Sequence, residues 1–226
     1  MPRPRGPMPD VPMGENGKWL LNDLVYGSQD VGGYHQNPRA EACPLNWTEI
    51  FGRDADLLVE IGFNRGDFLC DLGVQNPDAN VVGIEIRRRF GWGLTELIPK
   101  KYPNLQNVRG IWGDAKLTMP VLFAPERIQG LYITFPDPWW KKKHEKRRLV
   151  DDDFAQMIVS KIKKGGSIWV KTDVEMIADE IKALFSNQSD LLAPVSFEAE
   201  DLPYTYRERA CIKYALPIHR FKLTKV

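Results

Sequence analysis

Five short apolar runs, most of them followed by a stretch with helical spacing, constrain this chain more than any other feature. Leu57-Leu58-Val59-Glu60-Ile61-Gly62 reads as a strand, and a loop to Gly66 leads into a helix from about Asp67 to Gln75, stopped by Asn76-Pro77. Val81-Val82-Gly83-Ile84-Glu85 is a second strand. Phe90, Leu94, Leu97 and Ile98 then recur at helical spacing, in a helix that ends by Pro103 or earlier at Pro99. Asn107 to Trp112 makes a third strand closed by Asp114, Gly130 to Phe135 a fourth, and Ser167 to Lys171 a fifth. Between the last two, Asp151, Asp152 and Asp153 crowd a helix start, where acids suit the dipole, and Lys161, Lys163 and Lys164 end that helix before Gly165-Gly166. Glu175 to Phe185 is a further helix, and Cys211 to Leu223 is expected as a closing strand. Strands alternating with helices predict an α/β fold with a largely parallel sheet.

Residues 1–18 are rich in Pro and Gly and too poor in apolar side chains to pack, so a flexible tail is expected there, followed by a single domain over residues 19–226. From Trp19 to Trp47 there is no clean period. A formal net charge of +1 means that any polyanion site must be a local patch. The 3 cysteines are widely spaced, without CxxC or a His at metal-ligand spacing. That argues against a disulfide framework or any metal site and fits a reducing, cytoplasmic setting. No run approaches the ~18–20 apolar residues of a membrane span, and the N-terminus lacks the apolar core of a secretory signal. A soluble protein with no membrane partner is expected.

Ligands of open α/β sheets bind beyond the carboxyl ends of the strands, and this chain places an acid at four of those ends. Glu60 lies on strand one, just before Gly62-Phe63-Asn64-Arg65-Gly66. A carboxylate there would repel a pyrophosphate at the next helix N-terminus, and the G-x-G-x-x-G spacing is missing, which disfavours an NAD-dependent dehydrogenase. Glu85, about twenty residues past the loop, suits ribose hydroxyls. Asp114 is placed to receive an exocyclic amine or to cap the next helix. Asp137 sits between Pro136 and Pro138 just past strand four, followed by Trp139, Trp140 and a basic run to Arg148. The implied ligand contains ribose, an adenine-like ring and cationic groups without phosphates, which fits S-adenosyl-L-methionine.

The chain from about Leu57 to Arg220 resembles the tRNA (guanine-N7)-methyltransferase family. The residues that carry the likeness are Glu60-Ile61-Gly62-Phe63 with Gly66, Gly83-Ile84-Glu85-Ile86, Asp114-Ala115, Lys171-Thr172-Asp173 and Thr205-Tyr206-Arg207-Glu208. The most specific part is Phe135-Pro136-Asp137-Pro138-Trp139 with Lys141 and the basic run to Arg148. The resemblance implies a Rossmann-like, mostly parallel seven-stranded sheet with helices on both faces and an antiparallel last strand. It also implies methylation of a variable-loop guanosine in tRNA. Glu60, Gly62, Glu85, Ile86, Asp114 and Ala115 would line the S-adenosylmethionine pocket, and Asp137 would lie between cofactor and target base. Lys141, Asp173, Thr205, Tyr206, Arg207 and Glu208 would form the substrate side. Two departures stand out. Asn64-Arg65 replaces a common Gly-Lys, and Arg209-Ala210-Cys211 follows Glu208 where glycines are usual.

Guanine N7 carries an in-plane lone pair and no proton, so its methylation needs no general base. The enzyme has to align nucleophile, methyl and sulfur, with Asp137 expected to stabilise the positive charge that builds on the purine. Trp139 and Trp140 could stack on bases, or simply pack. Lys142, Lys143, Lys146, Arg147 and Arg148 are expected on phosphates, although a charge run is usually a solvated face. A small-molecule methyltransferase would leave that run idle, and a non-catalytic RNA-binding protein would not need Asp137 or Glu85. Monomer and homodimer are both open.

Overall fold

The computed structural model describes residues 18–26, 38, 44–140, 143, 147–188, 192–195 and 202–226. The expected tail, Lys141, Lys142 and Lys146 lie outside the described residues, apart from Lys18.

The strands are β1 (Leu57–Ile61), β2 (Asn80–Glu85), β3 (Val108–Trp112), β4 (Ile128–Thr134), β5 (Ile162–Thr172), β6 (Leu192–Val195) and β7 (His219–Lys225). They form one seven-stranded sheet in the order β3-β2-β1-β4-β5-β7-β6. The pairs among β1 to β5 are parallel, and β7 runs antiparallel to both β5 and β6. The order reverses between β1 and β4. Beyond the carboxyl ends of those two strands lies the crevice where such sheets hold ligands.

The helices are α1 (Asn22–Tyr26), α2 (Trp47–Phe51), α3 (Asp67–Gln75), α4 (Arg88–Lys101), α5 (Ala115–Leu122), α6 (Asp152–Lys161), α7 (Glu175–Ser186) and α8 (Tyr206–Lys213). Strand alternation divides the core into two layers. Leu57, Val59 and Ile61 join Val82, Ile84, Leu131 and Ile133 beneath α5, α6 and α7. Leu58 joins Val81, Val108 and Tyr132 beneath α3 and α4. Gly83 permits that second layer, since a Cβ there would stand 2.5 Å from Phe63 and 2.6 Å from Leu69. Helices thus cover both faces, as the resemblance implied. Residues 19–22 seal the β3 edge: Leu20 bridges Gly110, and the Asn22 side chain pairs with both backbone groups of Trp112.

Two local readings are corrected. The segment Cys211 to Leu223 is not one strand. Thr205 opens α8 with a reciprocal capping box to Glu208, and only His219 onward pairs with β5. Lys163, Lys164 and the glycines after them belong to β5, where the pairing with β4 shifts register between Ile128 and Gly130. Only Lys161 remains in the helix, and its ammonium donates to the carbonyls of Pro120 (2.8 Å) and Phe123 (2.7 Å) at the end of α5. Helix α4 runs through Pro99 and ends at Lys101, before Pro103, as the first of the two readings had it. Helices α1, α2 and α5 are short, and the first two lie where no period was legible.

Candidate active site

Glu60 lies on β1, one residue before its carboxyl end, beside the switch point. It is 1% exposed. Its Oε1 accepts the Thr134 hydroxyl at 3.0 Å, while Oε2 is buried with no hydrogen-bond partner among the described residues. Burial, more than anything else, pushes its carboxyl up to about 8; the Thr134 hydrogen bond opposes this, neighbouring Glu85 adds to it and Lys171 counteracts it. A buried acid with an unsatisfied oxygen calls for a hydrogen-bond donor or a cation. Next to it Gly62 has φ 83°, its amide donates to Ile84 O at 2.7 Å, and a Cβ there would meet nothing within 4 Å. Glycine therefore leaves both a left-handed turn and open space beside the acid. The donor set and the space fit a cationic group of modest size.

Glu85 ends β2 with its carboxylate almost fully buried. It accepts the Asn64 amide (2.8 Å), the Arg87 amide (2.8 Å) and the Arg87 guanidinium (3.0 Å). Ile86 follows with an exposed side chain, its carbonyl taking the Trp112 indole N–H at 3.1 Å. Asp114 is the N-cap of α5, accepting the Lys116 amide at 2.9 Å, and Ala115 begins that helix. Of the two roles open to Asp114, capping is therefore present; it is held beside β2 and Ile86 at the same rim.

Past β4 the chain turns sharply. The Phe135 amide donates to Lys171 O at 2.7 Å. Phe135 and Trp139 take φ values of 49° and 45°, left-handed positions that a large side chain adopts only under constraint. Between them Asp137 is exposed at the switch point. Trp140 is 70% exposed, while Trp139 lies beneath the Arg147 guanidinium at 5.3 Å. Lys143 and Arg147 are exposed. Arg148 is not a free cation. It is bonded to Glu180 (2.7 Å) and to Pro138 O (3.3 Å), so it braces the Asp137 loop.

The fourth rim is α8. Asp173 is held by the Arg207 guanidinium, and Thr205 accepts the Glu208 amide at 2.9 Å. Glu208 faces inward at 0% exposure, bonded to Lys171 (2.9 Å), Arg220 (3.0 Å) and the Thr205 amide (3.3 Å). It holds the lip in place rather than presenting a surface to a ligand. Burial draws the Lys171 ammonium down from its ordinary value, and Glu208 opposes that shift. Sequence reasoning missed this Lys171–Glu208–Arg220 cluster. The signal was available in part: Lys171 lies inside an apolar strand, where an unpaired ammonium could not be buried.

An open α/β sheet with this order, carrying acids at the ends of β1, β2 and β3 and an acid loop after β4, defines the methyltransferase class of fold. The 16S rRNA methyltransferase KamB shares the fold at a TM-score of 0.56 and 15% identity, covering 85% of this chain and 95% of that one. Residues 54–208 match a family described as a putative methyltransferase. A tRNA (guanine-N(7)-)-methyltransferase of Myxococcus xanthus is 31% identical over 189 residues, covering 80% of this chain and 89% of that protein. One of Thermotoga maritima is 36% identical over 157 residues, or 67% of this chain, which spans about half (48%) of that relative's length. The chain belongs to the tRNA (guanine-N7)-methyltransferase family.

Proposed function

We propose that this protein transfers a methyl group from S-adenosyl-L-methionine to N7 of a guanine in tRNA. The observation that carries the proposal is the buried, half-satisfied Glu60 beside open Gly62, one strand from the exposed Asp137. Glu60 and Gly62 would hold the cationic end of the cofactor, Glu85 its ribose, and Ile86, Asp114 and Ala115 its adenine. When bound, the cofactor supplies an electrophilic methyl on a sulfonium.

The residues of this chain do the rest. The in-plane lone pair of N7 needs no base, so the task is alignment and exclusion of water. Asp137 would face the purine as positive charge develops on it and stabilise that charge. Exposed Lys143 and Arg147 suit phosphates, with Lys141, Lys142 and Lys146 of the same run, and such contacts position without reading sequence. Asp173, Thr205, Tyr206 and Arg207 would form the RNA side of the cleft, with Glu208 and Arg148 bracing its two walls. Family membership and this arrangement favour RNA over a small-molecule acceptor. A cytoplasmic location follows from a tRNA substrate.

The test is incubation with labelled S-adenosylmethionine and unmodified bulk tRNA, followed by digestion. Expected is 7-methylguanosine, lost in Asp137→Ala. A different methylated nucleoside would overturn the assignment to N7, and normal turnover by folded Asp137→Ala would remove the role given to Asp137.

A further inference from the structure

The loop after β1 and the start of α8 touch across the mouth of the cleft. The Arg65 guanidinium lies 4.4 Å from the centroid of the Tyr206 ring. Both residues face solvent, Tyr206 being 54% exposed. Each sits on a braced element. Asn64, immediately before Arg65, is left-handed at φ 51° and its amide is held by Glu85, the acid suited to ribose. Tyr206 is the first residue of α8, which the Thr205–Glu208 capping box and the Lys171 and Arg220 ion pairs fix to β5 and β7. A second tie runs alongside, from Arg209 to Asp71 of α3 at 3.5 Å. The loop that answers to one ligand and the lip that faces the other are thus each braced, and the Arg65–Tyr206 contact joins the loop itself to the lip.

Arginine rather than lysine matters here. A planar guanidinium can lie flat over a ring, whereas an ammonium is a strongly hydrated point charge. Asn64, held by Glu85, precedes Arg65 directly in the chain, so the loop contact and the Tyr206 contact share one short segment.

We propose that Arg65 and Tyr206 are a positioning pair that couples the cofactor loop to the RNA-side lip, so that each ligand raises the affinity for the other. This rests on tRNA being the substrate. By linkage the two effects have the same factor, and an exposed cation–π contact carries about two- to fivefold.

The experiment measures S-adenosylhomocysteine binding by calorimetry on the full chain, with and without saturating tRNA. This nonreactive ligand separates coupling from turnover. Wild type is expected to bind S-adenosylhomocysteine about two- to fivefold tighter with tRNA present. Arg65→Lys and Tyr206→Leu should bring that ratio close to one, while Tyr206→Phe, which keeps the ring, should preserve it. Thermal melting of the same variants separates loss of coupling from loss of fold. An unchanged ratio in folded Arg65→Lys and Tyr206→Leu, or a wild-type ratio of one with tRNA bound, overturns the coupling and leaves the substrate assignment standing. Absence of tRNA binding by wild type overturns both.

Discussion

Replacing Glu60 by glutamine should have opposite effects on the ligand-free protein and on its complex, and the first can be worked out from burial. The Glu60 carboxyl is carried from 4.5 to about 8. At ~1.4 kcal/mol for each pH unit, that gap corresponds to roughly 5 kcal/mol, and water that enters with the charge reduces the cost to several kcal/mol. The sign is fixed by proton counting. Between pH 4.5 and about 8 the folded chain holds a proton on Glu60 that the unfolded chain has released. Stability from this group is therefore fully present below the lower value and is lost as pH rises to the upper one. A glutamine in its place has no proton to lose and retains an oxygen for the Thr134 hydroxyl. Urea unfolding of both ligand-free proteins, from pH 5 to 8.5, should show Glu60→Gln gaining on wild type as pH rises and levelling near pH 8. Titrating groups that do not interact with Glu60 are common to the two proteins and cancel in the difference. S-adenosylmethionine affinity at pH 8 should move the other way, falling about tenfold or more with the loss of a charged acceptor. A stability difference that stays flat across the pH range would falsify the assignment of a buried, protonated Glu60.

Two further outcomes test the lip. Lys171→Met should lower unfolding stability by about 3–5 kcal/mol in denaturant melts, because it removes one partner of a buried ion pair and leaves Glu208, among the described residues, with Arg220 and the Thr205 amide; Lys171→Met combined with Glu208→Gln should recover part of that loss. Thr205→Ala removes the cap of α8 and should cost about 1 kcal/mol, read as faster hydrogen exchange at the first amides of α8, with α3 unaffected.

The parts legible in the sequence are those governed by neighbours along the chain. Apolar runs located β1 to β5 because a strand buried on both faces has to be apolar almost throughout, and the acids at the ends of β1 to β3 were visible because they interrupt that rule. Helix α8 was misread although Thr205 and Glu208 spell its capping box, since the following Cys211-Ile212 suggested a strand and the inward role of Glu208 depends on Lys171 and Arg220. Arg148 was counted with the cations of its run, and only the fold brings Glu180 to it. The same limit explains the Arg65–Tyr206 contact: two residues far apart in the chain carry no local signal of their pairing. Glu60 differs from these. Its place on an apolar strand just before a loop was visible in the sequence, and an acid there disfavours a phosphate and suits a cationic ligand. That inference needed no tertiary partner, whereas the roles of Glu208 and Arg148 depend on Lys171, Arg220 and Glu180, which only the fold brings to them.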